Sequence, residues 1–179
     1  MFRPILAFAF GLSTALVAGW EVFPRVLYQR QAQPLEFRHK THAAKSGTAE
    51  CTGCHVLRED GFFAGLPSID SCTGCHGEPM GTTKAEATLV ANFVKPHRET
   101  PWLVYSRQPA NVRFSHAIHI RRAGLDCKQC HAGHGESDTV ALYRHNRISG
   151  YSGDTLSMTA CESCHRERKV EAGCLGCHE

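Results

Sequence analysis

The chain has 179 residues, 42% hydrophobic, 8% aromatic and 21% charged, so one or two small domains with a modest core are expected. Its ten cysteines far exceed ordinary usage, and the formal charge of +3 cannot be interpreted until they are explained. All ten fall into five C-x-x-C pairs, each followed at once by histidine, and none is left over.

Residues 1–24 open the chain with MFRPILAFAFGLSTALVAGWEVFP, in which one arginine precedes an apolar run from Ile5 to Trp20. From Ile5 to Phe23 a helix would extend roughly 28 Å, close to a bilayer core. Trp20 and Phe23 would then lie at the headgroup level. The competing reading is a cleaved signal peptide, since Ser13-Thr14-Ala15 satisfies a small-x-small site. Cleavage there would leave an apolar stretch of only about eight residues, short for a signal peptide. An uncleaved anchor is therefore expected, with the remainder exported.

The first cysteine units are CTGCH at 51–55 and CTGCH at 72–76, within a segment taken as 35–80. A bridge follows over 81–113. Within it, Thr83-x-x-Glu86 precedes apolar Leu89, Val90, Phe93 and Val94, which predicts a capped amphipathic helix over 82–94 that ends before Pro96. Its apolar stripe should pack on the protein's own core. Residues 100–113 carry two prolines and are expected to be extended. The second module, 114–179, holds CKQCH at 127–131, CESCH at 161–165 and CLGCH at 174–178. Between its first two units, the glycine-rich text of 131–154 suggests loop over much of its length.

Zinc also uses C-x-x-C pairs, but five pairs do not divide evenly into four-cysteine sites, and zinc needs no histidine directly after each. Disulfides leave the histidines unexplained as well. C-x-x-C-H is the signature of c-type haem attachment. Cys51, Cys54, Cys72, Cys75, Cys127, Cys130, Cys161, Cys164, Cys174 and Cys177 would form thioethers to five haems. His55, His76, His131, His165 and His178 would be the proximal iron ligands. Ionised propionates then turn the holoprotein acidic, which removes the argument for nucleic-acid binding. The macrocycles would also supply most of the buried apolar area. The expected fold is mostly irregular, with short α-helices packed around haems and one N-terminal transmembrane helix.

Seven histidines remain for five distal positions: His39, His42, His97, His116, His119, His134 and His145. Bis-histidine ligation is expected throughout, with Met80 and Met158 as minority alternatives. Twelve histidines also make six pairs, so a sixth haem held by histidines only stays open. Residues 37–42 read FRHKTH and 114–119 read FSHAIH, so F-x-H-x-x-H stands ahead of a C-x-x-C-H unit twice.

This double motif resembles the class III multihaem cytochromes of anaerobic bacteria. In that family the first histidine ligates the haem of the following unit, and the second ligates a different haem. The resemblance implies that His39 pairs with His55 and His116 with His131, while His42 and His119 reach across to other haems. Five units, an anchor and a long bridge depart from the tetrahaem members. Those departures resemble the pentahaem-type cytochrome subunits of membrane quinone-linked complexes, either the menaquinone reductase complex of sulfate reducers or alternative complex III.

That family implies an integral quinone-site subunit, an iron–sulfur subunit and a molybdopterin-enzyme-like subunit as partners. A soluble periplasmic multihaem cytochrome would exchange electrons with the chain. The implied location is the bacterial inner membrane, with the haem domain in the periplasm. The implied role is electron transfer toward menaquinone, not catalysis, with the reverse direction or a stand-alone anchored quinol dehydrogenase as alternatives. A catalytic multihaem reductase often marks its open iron with C-x-x-C-K, and no such unit occurs here.

Overall fold

The apolar N-terminal text forms helix α1 over Phe2–Val17, a π-helical turn over Ala18–Val22 and helix α2 over Phe23–Leu27. These coordinates are a computed structural model that describes residues 2–45, 50–62, 64–153, 156–171 and 173–178. Residue 1 of the expected anchor and residue 154 of the expected loop lie outside the described residues. The π turn has a local cause. Pro24 brings no N–H and would clash with the carbonyl four residues back, so the ladder slips by one and the Phe23 N–H reaches the Ala18 carbonyl.

Residues Arg3–Leu27 make 25 helical residues, whose most apolar 18-residue stretch has a mean hydropathy of 1.7 and is not buried against the protein. Such a helix is about 37 Å long, enough to cross a bilayer core. Inside it, the Thr14 hydroxyl donates to the Phe10 carbonyl at 2.8 Å, which satisfies the polar group without water. Arg25 and Glu21 pair at 2.7 Å near the other end.

At Tyr28 the backbone turns extended, and strand β1, Tyr28–Gln31, pairs antiparallel with β2, Tyr143–Asn146. The register sets Gln29 opposite His145 and Arg30 opposite Arg144. Arg147 N–H adds a bond to the Leu27 carbonyl at 2.8 Å. Gly153 closes against this ribbon, where a Cβ would meet the Tyr28 ring at 3.1 Å. The expected loop over 131–154 thus contains a strand. Two four-residue strands, YQRQ and YRHN, show no alternation of apolar and polar residues, so neither announces itself.

Beyond the ribbon lie short helices: α3 over His39–Lys45, α4 over Ile69–His76, α5 over Lys84–Leu89, α6 over Met158–Glu167 and α7 over Cys174–Cys177. The capping box ahead of α5 forms only by half. Thr83 accepts from the Glu86 N–H at 3.2 Å, but the Glu86 carboxylate turns away to His76 and to the Met80 N–H. Helix α5 runs into a π turn over Val90–Val94, and Arg98 N–H closes it on the Phe93 carbonyl at 2.8 Å. His97 sits at that end with φ of 49°, the left-handed position that terminates helices.

The apolar stripe packs inward as expected. Leu89, Phe93 and Val94 are buried with Leu35 and Ile69, flanked by Cys72, Ala85 and Trp102. At the start of α4 the Glu99 carboxylate accepts from the Ile69 N–H at 3.0 Å, holding the helix onto this cluster. Among the described residues only six apolar side chains are buried, too few to fold a chain of this length by themselves. Phe93→Ala should cost about 3 kcal/mol of stability. Ile148→Ala, at a residue 78% exposed, should stay within about 0.5 kcal/mol. Chemical denaturation of the full-length protein in detergent measures both.

Candidate haem centres

Every C-x-x-C-H unit is a single helical turn, which sets its two cysteines and its histidine on one face. Units 51–55 and 127–131 are superposable 3₁₀ turns: the fifth-position N–H of each, His55 and His131, reaches the first cysteine's carbonyl at 2.8 Å. Asp126 caps the second of these through the Lys128 N–H at 2.8 Å. Unit 72–76 is the last part of α4, unit 161–165 lies within α6, and in unit 174–178 the His178 N–H reaches the Cys174 carbonyl at 2.9 Å. All ten cysteines are free thiols, exposed or half-buried, so none is committed to a disulfide. Among the described residues no three cysteine, histidine or acidic side chains converge on one point, as a zinc site would require.

The histidines pair instead. His39 faces His55 with ring centroids 6.4 Å apart and planes 20° from parallel. His116 faces His131 at 6.4 Å and 14°, and His119 faces His165 at 6.1 Å and 14°. His42 faces His76 at 6.2 Å with a 50° tilt. Two imidazoles bound to opposite sides of one metal, each through a bond of about 2.0 Å, stand with centroids about 6 Å apart. The spacing fits an iron between each pair.

Hydrogen bonds at the other ring nitrogen complete the fit. His42 Nδ1 lies 2.8 Å from the Arg38 carbonyl, and His119 Nδ1 2.8 Å from that of Ser115. His55 Nδ1 is 2.9 Å from the Gly65 carbonyl, His116 Nδ1 2.6 Å from Phe62 and His178 Nδ1 3.2 Å from Asn111. His76 Nδ1 donates to Glu86 Oε1 at 3.0 Å, and His39 Nδ1 meets the Ser137 hydroxyl at 3.4 Å. An acceptor at Nδ1 places the proton there and leaves Nε2 as the free donor to metal. Burial and the neighbouring imidazoles hold His39 and His131 below the usual histidine value, which keeps both neutral and able to ligate.

Two phenylalanines explain the first letter of each F-x-H-x-x-H motif. Phe37 stacks on His42 at 4.1 Å and meets His39 edge-on at 4.9 Å. Phe114 stacks on His119 at 4.5 Å and meets His116 edge-on at 4.8 Å. One ring thereby orients two histidines that point at different partners. The motif was visible in the sequence, but this use of its phenylalanine was not. Glu86 was also missed as a histidine partner, because its spacing reads as a helix cap. The Met80 N–H and the His76 ring hold its carboxyl below the usual carboxylate range.

The remaining three histidines are placed differently. His97 Nε2 lies 3.7 Å from Asp70 at the helix end. His134 stands edge-on to His131, with centroids 6.1 Å apart and planes at 64°, and its ring lies 4.9 Å from that of Tyr105. His145 stacks on Tyr143 at 5.4 Å, with its buried Nδ1 lacking a partner. Met80 and Met158 are 72% and 62% exposed.

Five cysteine-and-histidine turns, four imidazole pairs and a side-chain core too small for the chain define a multihaem c-type cytochrome. Comparison with known proteins agrees. Residues 21–100 match the class III cytochrome c family, and 112–179 match cytochrome c7 and related cytochromes c. The menaquinone reductase multihaem cytochrome c subunit of Nitratidesulfovibrio vulgaris is 42% identical over 96% of this chain and 89% of its own length. The high-molecular-weight cytochrome c of the same organism is 26% identical over 75% of this chain, though over only 24% of itself. Cytochrome c-type protein NrfB of Escherichia coli is 20% identical over 78% of this chain and 76% of its own length. The chain belongs to the class III-type multihaem cytochromes c, in the family of the menaquinone reductase cytochrome subunit, and it is an electron-transfer protein.

The Glu86 contact predicts a tuned centre. An anionic acceptor makes the His76 imidazole more electron-rich and favours ferric iron. Glu86→Gln should raise the midpoint potential of one haem by more than that of any other, as read by potentiometric titration with per-haem spectra.

Proposed function

We propose that this chain is the anchored periplasmic cytochrome of a membrane complex that reduces menaquinone. It would accept electrons from a soluble multihaem cytochrome and pass them inward to an integral quinone-site subunit. An iron–sulfur subunit and a molybdopterin-enzyme-like subunit complete the assembly. The observation that carries the reading is the set of four facing imidazole pairs, His39–His55, His42–His76, His116–His131 and His119–His165. An iron closed by imidazole on both sides has no position for substrate and exchanges only electrons. The 42% identity over nearly the whole chain to a menaquinone reductase subunit supports the choice of complex.

The ten cysteines hold five haems through thioethers, and His55, His76, His131, His165 and His178 are the proximal ligands. His39, His42, His116 and His119 are distal ligands. Bound haem supplies a reversible one-electron couple, and these side chains set its potential by ligation and burial. The anchor, the 35–80 module, the 81–113 bridge and the 114–179 module act as one subunit. The repeated phenylalanine-and-histidine geometry in the two modules supports this division. The 25-residue apolar helix fixes the cytochrome to the bacterial inner membrane, its haem domain on the outer side.

A sixth haem held by histidines only would need two of His97, His134 and His145 to face each other. Their rings instead stand against Asp70, Tyr105 and Tyr143. Haem-to-protein ratios taken before and after acid–acetone extraction should both be five. A higher ratio before extraction would establish the non-covalent haem.

Gentle detergent extraction from native membranes, followed by mass spectrometry of what co-purifies, tests the assembly. A polytopic protein, an iron–sulfur protein and a molybdopterin-enzyme-like protein are expected. Recovery of the chain alone, with quinol oxidation by the isolated chain, would favour the stand-alone quinol dehydrogenase instead.

A further inference from the structure

We propose that the five attachment units form one unbranched row in the order 72–76, 51–55, 127–131, 161–165, 174–178. The second unit in the sequence, not the first, is then one end of the electron path. The proposal rests on the reading of the five units as haem sites, and each link has its own contacts.

Helix α3 makes the first link. His39 faces His55 at 6.4 Å, and His42, one helical turn on, faces His76 at 6.2 Å. Phe37 lies against both distal rings. The two sites therefore share a seven-residue helix and cannot be far apart.

The second link joins the modules. The loop just after His55 grips the second F-x-H-x-x-H motif: the Gly61 carbonyl accepts from the Ala117 N–H at 2.9 Å and from the Ser115 hydroxyl at 3.2 Å. The next carbonyl, Phe62, holds His116 Nδ1 at 2.6 Å. Contact is so close that a Cβ on Gly61 would lie 2.7 Å from the Ala117 Cβ. His116 is the ring opposite His131, so the 51–55 unit positions a ligand of the 127–131 unit.

The third link repeats the first. His116 faces His131 and His119 faces His165, with Phe114 against both distal rings. For the fourth link, the last unit is bound to the residues just ahead of Phe114. Arg113 N–H reaches the Cys177 carbonyl at 2.8 Å, Val112 bridges to His178, and His178 Nδ1 lies 3.2 Å from the Asn111 carbonyl. Only eight residues separate His165 from Cys174, which keeps the fourth and fifth units close together. Each interior unit is thus connected to two others, as in a row.

The test is the position of the five irons in the full-length holoprotein, determined by electron cryomicroscopy or iron anomalous scattering. Nearest neighbours are expected to be the irons on His76 and His55, His55 and His131, His131 and His165, and His165 and His178. Any other nearest-neighbour set, such as His76 beside His131 or His55 beside His178, overturns the order while leaving the electron-transfer reading intact. Fewer than five irons would overturn that reading, and the order with it.

Reduction potentials give an independent readout. Methionine in place of a distal histidine raises the potential of its own haem, and the changed charge is felt most by adjacent haems. In His42→Met, the His55 haem alone should shift in response. In His119→Met, the His131 and His178 haems should both shift. A response to His42→Met that is larger at any of the last three haems than at His55 overturns the row.

Discussion

Two histidines three residues apart on a short helix project to one side of it, so they cannot bind a single haem from opposite faces. That constraint sets most of this molecule. His39 faces His55 while His42 faces His76, and His116 faces His131 while His119 faces His165, so each turn serves two partners at once. The turn becomes a cross-link whose length is fixed by helix geometry. Phe37 and Phe114 remove the rotational freedom that would otherwise let either ring swing back. Carbonyl acceptors at Nδ1 then settle which nitrogen faces outward. Neither device needs a large protein core, which suits a chain with six buried apolar side chains among its described residues.

Where apolar packing does occur, it serves attachment. Leu35 comes eight residues after the anchor helix ends at Leu27, and it is buried against Ile69, the first residue of the helix that ends in His76. The same cluster receives Phe93 and Val94 from the bridge and touches Cys72. The segment leaving the membrane is therefore clamped twice, once by this cluster and once by the β1–β2 ribbon. A helix exposed over its whole apolar length gains nothing from the protein, so its own hydropathy must hold it in the bilayer. The haem domain can then be held at a set distance from the membrane plane by a short extended strap.

Chemistry was legible in the sequence where spacing alone encodes it. Cys51, Cys54 and His55 lie within five residues, and a single turn suffices to bring them to one face. The F-x-H-x-x-H motif was legible for the same reason. What escaped was every contact made across long separations by residues without a pattern. Glu86 looked like the second half of a capping box, yet its carboxylate does more for His76, a histidine ten residues earlier, than for its own helix. His97, one of the candidate ligands, also has the backbone of a helix terminator, which the sequence did not announce. The Tyr28–Asn146 ribbon joins segments more than a hundred residues apart, through strands too short and too polar to show a period.

The same distinction explains why the number of attachment units can be read from the sequence while their neighbours in space cannot. Units are numbered by the chain, but neighbours are chosen by carbonyls and rings that reach between them. Gly61 is the clearest case: it matters because it lets the loop after the first unit lie against Ala117 at a distance that any side chain would prevent. A residue there with a Cβ would push the two motifs apart, and its φ of 69° adds a backbone penalty of about 1 kcal/mol. The junction between the two halves of the molecule thus depends on a glycine that carries no ligand and touches no cysteine. Electron-transfer proteins of this kind are built from covalent tethers that any sequence reading can find, and from backbone contacts that set the distances between them.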